Sequence, residues 1–186
     1  MNIVFFMDPM QSIIPQKDTS YVLMQAAARM GHSVYHLGSG DTCFVQDHWE
    51  CRVQKIDPFS SDAAPVYRSE GWQSLRDDEI DYLLIRLDPP FDENYLMHTW
   101  IFEQFPDSCQ VINAPNGVRT VNEKLWATQF RDLIPATWIT RDAAQYMDIL
   151  QKEGTVIVKP VQLFGGAGIF KVSAGDSNAR VIFESA

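Results

Sequence analysis

The sequence predicts an α/β fold whose first part is a mostly parallel sheet flanked by helices. Short apolar runs alternate with segments that carry apolar residues at helical spacing, which is the pattern of βαβ units. The run "DYLLIR" at residues 81–86 is continuously apolar before its final arginine, as in strands buried on both faces. Because α/β sheets bind ligands at the carboxyl ends of their parallel strands, we expect a site there.

Local signals place the elements of this first part. A strand over residues 2–7 ends at Asp8-Pro9, and a helix follows with Asp18, Thr19 or Ser20 as its N-cap and Gly31 as its stop. The elements predicted after this helix are a strand at 33–37, a hairpin over 42–56, an irregular and mobile loop over 57–72, a strand at 81–86, a turn over 88–92, a helix over 93–105 and a strand at 110–113.

A second part is predicted beyond the segment 113–117, "NAPNG", whose composition is typical of a domain linker. We therefore expect one domain over residues 1–121 and another over residues 122–186. The second has a predicted helix at 121–130, a strand at 136–140, a helix at 141–154, and two strands around a glycine loop.

Composition and charge exclude several classes of function. The chain has 186 residues, of which 46% are hydrophobic, so it can bury a substantial core. Its formal net charge of -9 repels polyanions, so nucleic acid and anionic membranes are poor partners. The first ten residues lack a basic leader and predict a strand and no signal peptide, and no apolar run approaches the roughly 18 residues of a membrane helix.

The three cysteines suggest reduced thiols in a cytosol, because their number is odd and no CxxC spacing occurs. Cys43 and Cys51 could instead face each other across the predicted hairpin. The four histidines show no ligand spacing, so we predict no zinc site.

The glycine loop, Gly165-Gly166-Ala167-Gly168, has two interpretations. Its backbone N–H groups could approach an anion without interference from side chains, with Lys159 on the preceding strand as a cation. It is neither a Walker A loop nor a GxGxxG motif, and a tight hairpin turn would have the same composition. Spacing alone leaves both interpretations open.

Several segments, read together, resemble the bacterial glutathione synthetase family, whose members are ATP-grasp ligases. The segments are "MDP", "KDTS", "IRLDPPFD", "VIN" with "NEKL", and "VIVKP" before "GGAGIFKV", and they occur in the family's order along the whole chain. The sequence departs from the family's pattern at Gln162-Leu163, where members usually carry Asp-Gly. The resemblance is to the N-terminal portion of a member.

The resemblance implies a Rossmann-like pre-ATP-grasp domain that binds substrate, followed by a truncated first part of the ATP-grasp domain. It implies an enzyme that joins γ-glutamylcysteine to glycine with ATP through an acyl phosphate. Lys124 and Lys159 match the family's two nucleotide lysines, and the glycine loop belongs to the same ATP site. Arg86 matches the arginine that holds the peptide, and its planar fork suits a carboxylate.

Each of these residues also has a structural interpretation. Arg86 could form an ion pair with Asp8 or Asp88, and Lys124 could be a solvated helix residue. Lys17 and Ser20 could bind a substrate carboxylate at the helix start, or Ser20 could serve as a cap. Lys159 ends an apolar strand, where we expect desolvation to be costly unless an anion meets the ammonium group.

The resemblance also bears on cofactors and partners. Mg²⁺ ligands are expected in the missing C-terminal part and no metal site in this chain, so the chain alone should be inactive. Another ATP-grasp peptide or amino-acid ligase, or a non-catalytic binding or assembly module, remains an alternative. The expected partners are small-molecule substrates and further copies of the chain, joined through the N-terminal domain, and the expected location is the cytoplasm.

Overall fold

The computed structural model describes residues 1–59 and 66–186 and has two compact units, Met1–Thr120 and Val121–Ala186. The first unit combines a sheet with helices, which confirms the predicted α/β class. Within the described ranges, no helix combines the length and the apolar character needed to cross a membrane.

The first unit is built on a seven-stranded mixed sheet. Strand β1 pairs in parallel with β2 and β6, and β6 pairs in parallel with β7, so these four form the parallel half that the alternation predicts. Strand β4 pairs antiparallel with β2, β3 and β5. The elements are β1 (Asn2–Phe6), α1 (Thr19–Arg29), β2 (Ser33–Leu37), β3 (Thr42–Val45), β4 (His48–Pro58), β5 (Tyr67–Arg76), β6 (Tyr82–Ile85), α2 (Glu93–Phe102), β7 (Gln110–Ile112) and α3 (Pro115–Thr120).

The end of β1 is buried on both faces, and successive side chains of this strand point to opposite sides of the sheet. On β1, Phe6 packs into a cluster that includes Phe102 of α2, whereas Phe5 packs into a second cluster that includes Met24 of α1. All four side chains are at most 1% exposed. The two helices therefore cover opposite faces and fix the carboxyl ends of β1 and β6 in place.

The second unit is smaller and has a thin core. It contains α4 (Glu123–Trp126), α5 (Ala143–Glu153), β8 (Thr155–Val158), β9 (Phe170–Ser173) and α6 (Ala179–Ser185), and β8 pairs antiparallel with β9. Asp142 caps α5 by accepting from the N–H of Ala144 at 2.8 Å. The buried apolar cluster of the second unit consists of Tyr146, Leu150, Val172 and Ala179.

Three predicted elements are wrong. The loop predicted over 57–72 is in part strand, since β4 continues to Pro58 and β5 begins at Tyr67, while residues 60–65 lie outside the described part of the chain. Strand β5 is mostly exposed, so it lacks the apolar alternation that marks a strand in sequence. The predicted linker becomes α3, with Pro115 at its first position, and the predicted strand at 136–140 is not paired.

The thiols of Cys43 and Cys51 do not face each other. Cys43 lies opposite Glu50, and Cys51 lies opposite Thr42, so the two side chains point to opposite faces of the hairpin. Cys43 is exposed, Cys51 and Cys109 are buried, and all three are free.

Candidate functional site

A cavity of about 240 Å³ opens at the carboxyl ends of β1 and β6, beside the start of α1. It brings together Lys17, Ser20 and Arg86, the three residues predicted to bind substrate. Lys17 comes from the turn before α1, Ser20 from its first turn, and Arg86 from the residue after β6. The other lining residues are Met7, Asp8, Ser12, Ile14, Asp18, Thr19 and Asp88.

The start of α1 is capped by Asp18, whose side chain accepts from the N–H of Tyr21 at 3.0 Å. The alternative that Ser20 caps this helix is therefore wrong, and its hydroxyl is available for another role. Ser12 and Thr19 also line the cavity, and neither carries a sequence signal that would have selected it. Ser12 reaches the cavity through a short 3-10 turn, Met10–Ser12, that follows β1.

Arg86 is held by two bonds that leave part of its guanidinium free. Its backbone N–H donates to the carbonyl of Phe6 at 2.7 Å, and its Nε donates to the hydroxyl of Ser20 at 2.9 Å. The carboxylate of Asp8 accepts instead from the backbone N–H of Asp88 at 2.8 Å. Among the residues described, no carboxylate lies within 4.0 Å of Arg86, so the structural ion pair is not formed. The two Nη groups can accommodate an incoming carboxylate.

The glycine loop is part of a long connection between β8 and β9, residues 159–169, so it is not a tight hairpin turn. Gly165, Gly166 and Gly168 have φ angles of 61°, 83° and 66°. A side chain at Gly168 would also bring a Cβ to 2.8 Å from Cγ of Pro160. Within the described part of the chain, the N–H groups of these three glycines have no acceptor, which suits an anion.

Lys124 lies at the start of α4 and contacts this connection. Its Nζ donates to the carbonyl of Leu163 at 2.6 Å, to the carbonyl of Val161 at 3.3 Å and to the carboxylate of Glu123 at 2.8 Å. The proximity of that ammonium group lowers the pKa of Glu123. The alternative that Lys124 is only a solvated helix residue is therefore wrong.

Lys159 is exposed, which contradicts the expectation of a desolvated ammonium group. The physical reason is that β8 belongs to a two-stranded sheet and alternates between exposed and half-buried residues. The ammonium group of an exposed lysine can still bind an anion. Because the group stays in water, however, it has no desolvation cost that an anion would have to offset.

The departure at Gln162-Leu163 does not disturb the backbone of the loop. Neither residue has a positive φ, so both positions accept ordinary L-residues. The carbonyl of Leu163 is one of the acceptors of Lys124. Its side chain is exposed.

No metal centre is built from the described residues, because no group of three or more His, Cys, Asp or Glu side chains lies close enough together to hold an ion. Loop N–H groups and lysines suit an anion, whereas the described residues do not form a Mg²⁺ site.

The fold is similar to that of ATP-grasp ligases. A structure of a RiPP-associated ATP-grasp ligase from Chryseobacterium gregarium, in complex with ADP and a leader and core peptide, is similar to this chain with a TM-score of 0.57 and 15% identity. It covers 100% of this chain, which covers 61% of that one. Residues 1–119 match the profile of the prokaryotic glutathione synthetase N-terminal domain, and residues 123–186 match that of its ATP-grasp domain. The chain belongs to the prokaryotic glutathione synthetase family.

Curated relatives agree with this assignment. Glutathione synthetase of Vibrio cholerae serotype O1 is 36% identical over 180 residues, which are 96% of this chain and 56% of the relative. Glutathione synthetase of Escherichia coli strain K12 is 32% identical over 180 residues, which are 96% of this chain and 57% of the relative. The chain thus spans somewhat more than half the length of the relatives it matches.

Proposed function

We propose that this chain carries the peptide-binding part and the first nucleotide-binding part of a ligase that joins γ-glutamylcysteine to glycine with ATP. In this reaction the cysteinyl carboxylate attacks the γ-phosphorus of ATP, and ADP leaves. The amine of glycine then attacks the acyl carbon and loses a proton, and phosphate departs as the new amide bond forms. Membership of the glutathione synthetase family and the names of the relatives support this choice of substrates.

The observation that carries the proposal is the state of Arg86. It lies in a cavity at the carboxyl end of a buried strand, Ser20 fixes its Nε, and its Nη groups have no carboxylate partner among the described residues. A positioned guanidinium with two free donors is suited to a peptide carboxylate. Lys17, which lines the same cavity, adds a second positive charge. The resulting role for Arg86, Lys17 and Ser20 is peptide binding.

The nucleotide role falls to the second unit. The free N–H groups of Gly165, Gly166 and Gly168 and the ammonium groups of Lys124 and Lys159 are suited to phosphate oxygens. Ala167 completes the loop and donates its N–H to the carbonyl of Phe164 at 3.0 Å, which shapes the turn. Catalysis by such groups rests on positioning and charge neutralisation.

The proposal includes several properties of the whole ligase. Mg²⁺ would be held by residues in the portion of the relatives' length that this chain does not span, and the 186-residue chain alone would not turn over. The domain division at about residue 121 would separate the peptide site from the first part of the nucleotide site. The free thiols support a cytoplasmic location. Self-association through the first unit would give a homo-oligomer.

Titration of the 186-residue chain with γ-glutamylcysteine tests the proposal. Arg86→Ala should weaken peptide binding by roughly 1.5–3 kcal/mol because a charge-assisted contact is lost, and ATP affinity should hardly change. Arg29→Ala is the matched control, since this exposed arginine lies at the far end of α1. If Arg86→Ala leaves peptide affinity unchanged in a folded protein, the peptide site lies elsewhere.

A further inference from the structure

A second cavity, of about 500 Å³, adjoins the peptide cavity and shares Met7 and Asp8 with it. It lies beside the carboxyl ends of β1 and β2, and His36, Gly38 and Asp41 contribute to its lining. None of these three residues belongs to the site assigned above. The charged side chains on its described lining are Asp8 and Asp41, and no lysine or arginine is among them.

His36 is the most informative residue of this cavity. It is 6% exposed, and its Nε2 lies 3.1 Å from the backbone carbonyl of Asp8. Because a carbonyl can only accept, Nε2 carries the proton and Nδ1 carries a lone pair. Nδ1 is buried and has no hydrogen-bond partner among residues 1–59 and 66–186. A buried polar atom without a partner is costly, and a ligand that donates a hydrogen bond would satisfy it.

The ring of His36 is uncharged. Burial lowers its pKa, and this effect outweighs the hydrogen bonds to the backbone of Asp8 and Met7 and the nearby carboxylates, all of which raise it. Its Nδ1 therefore acts as an acceptor at neutral pH. The described lining of the cavity thus offers acceptors and no cation: the Nδ1 of His36, the carboxylates of Asp8 and Asp41, and the side-chain oxygens of Gln11, Ser39 and Gln54.

Gly38 keeps the space between these acceptors open. A Cβ at this position would lie 2.9 Å from Oδ2 of Asp41 and 3.8 Å from Cε1 of His36. The lack of a side chain therefore leaves a gap between the imidazole and the carboxylate.

We propose that this second cavity binds the α-ammonium group of the γ-glutamyl peptide, while Arg86 in the adjoining cavity binds the α-carboxylate. A γ-glutamyl linkage leaves both groups free on one carbon atom, and the two cavities meet at Asp8, so one residue can receive both. An ammonium group has three N–H donors, and the acceptors of the cavity include two carboxylates and the Nδ1 of His36. The cysteinyl carboxylate, which must react with ATP, is then left free. This inference rests on the proposed peptide substrate.

The test compares two ligands that differ only in the ammonium group. γ-Glutamylcysteine carries it, and N-glutarylcysteine replaces it by hydrogen and keeps both carboxylates. The 186-residue chain should bind γ-glutamylcysteine about tenfold more tightly, as expected when a charge-assisted contact is lost. Asp41→Asn should lower the affinity for γ-glutamylcysteine by roughly fivefold to tenfold and leave the affinity for N-glutarylcysteine unchanged. The preference of the chain for γ-glutamylcysteine over N-glutarylcysteine then largely disappears.

Two further variants complete the experiment. Asp107→Asn removes an exposed carboxylate that does not line the cavity, and it should leave both affinities unchanged. Gly38→Ala fills the gap and should also weaken γ-glutamylcysteine more than N-glutarylcysteine. Equal binding of the two ligands by the unmodified chain, sensitive to Arg86→Ala, would overturn the ammonium site and leave the proposed function standing. Failure to bind either ligand would overturn both.

Discussion

Lys124 donates from the first turn of α4 to the carbonyl of Leu163 at 2.6 Å, across 39 residues of sequence. The same ammonium group reaches Val161 at 3.3 Å, so one side chain holds the connection that carries the three glycines. A lysine selected as a nucleotide ligand thus also supports the loop. The carboxylate of Glu123 takes the third donor at 2.8 Å, so a phosphate would have to replace that carboxylate for Lys124 to fill both roles.

Replacement of Lys124 by methionine should loosen the glycine loop. The side chain keeps its length but loses all three donors, so the carbonyl of Leu163 is left to water and that of Val161 keeps only the bond from Nδ2 of Asn122 at 3.4 Å. We expect faster amide exchange at Ala167 and Ile169, whose N–H groups donate within the loop, at a cost of about 1 kcal/mol. Lys152→Met, an exposed lysine of α5, is the matched control. Unchanged exchange in the Lys124 variant would show that the bonds do not stabilise the loop.

The bond between Ser20 and Arg86 should be measurable as a coupling energy. Lysine at position 86 has no Nε–H to donate to the hydroxyl of Ser20, and it has no planar fork. Ser20→Ala should therefore weaken the binding of γ-glutamylcysteine by about 1 kcal/mol when residue 86 is arginine, and by much less in the Arg86→Lys variant.

The four affinities of this cycle are measured by calorimetric titration, and Arg29→Ala, at the far end of α1, serves as the control. Equal effects of Ser20→Ala in both backgrounds would mean that Ser20 contacts the peptide by itself and does not position Arg86.

Alkaline pH should destabilise the first unit through its buried thiols. Burial raises the pKa of Cys51 and of Cys109 from 9.0 to about 12. Between these values the folded chain holds protons that the unfolded chain has lost, so the free energy of unfolding falls as pH rises. The slope is at most about 1.4 kcal/mol per pH unit for each thiol.

Urea unfolding at pH 8 to 11 checks this, because Cys51→Ala should show a shallower decline than the unmodified chain. At pH 8, the exposed Cys43 should be the thiol that reacts rapidly with a disulfide reagent. Rapid reaction of all three thiols in the folded protein would contradict their assigned burial.

The purified 186-residue chain should release no phosphate from ATP in the presence of γ-glutamylcysteine and glycine. Its described residues supply lysines and loop N–H groups for phosphates but no cluster of carboxylates for Mg²⁺. A coupled phosphate assay measures this, with the glutathione synthetase of Escherichia coli as the positive control. Turnover at a rate typical of enzymes, unchanged by Lys159→Ala, would point to a contaminant, and turnover abolished by Lys159→Ala would contradict the prediction.

The elements that could be predicted have signals confined to a few neighbouring residues. The apolar run of β6, the Asp18 cap of α1 and the Gly31 stop after α1 are local features, and the structure contains both elements. Strand β5 was missed because its stability comes from pairing with β4 and not from its own composition. The strand predicted at 136–140 failed for the converse reason, since β-branched residues form a strand only where a partner is available.

The sequence by itself determined the α/β class, the parallel half of the sheet and the set of residues that match the family. It could not determine what those residues contact. Arg86 might have paired with Asp8 or Asp88, which are close in sequence or at strand ends, yet its Nε bonds to Ser20, 66 residues away. Such a contact depends on how α1 packs beside β1 and β6, and packing is a property of the whole sheet. For the same reason, the position of His36 and Asp41 beside the peptide cavity is known only from the tertiary structure. The exposure of Lys159 to solvent is likewise known only from the tertiary structure.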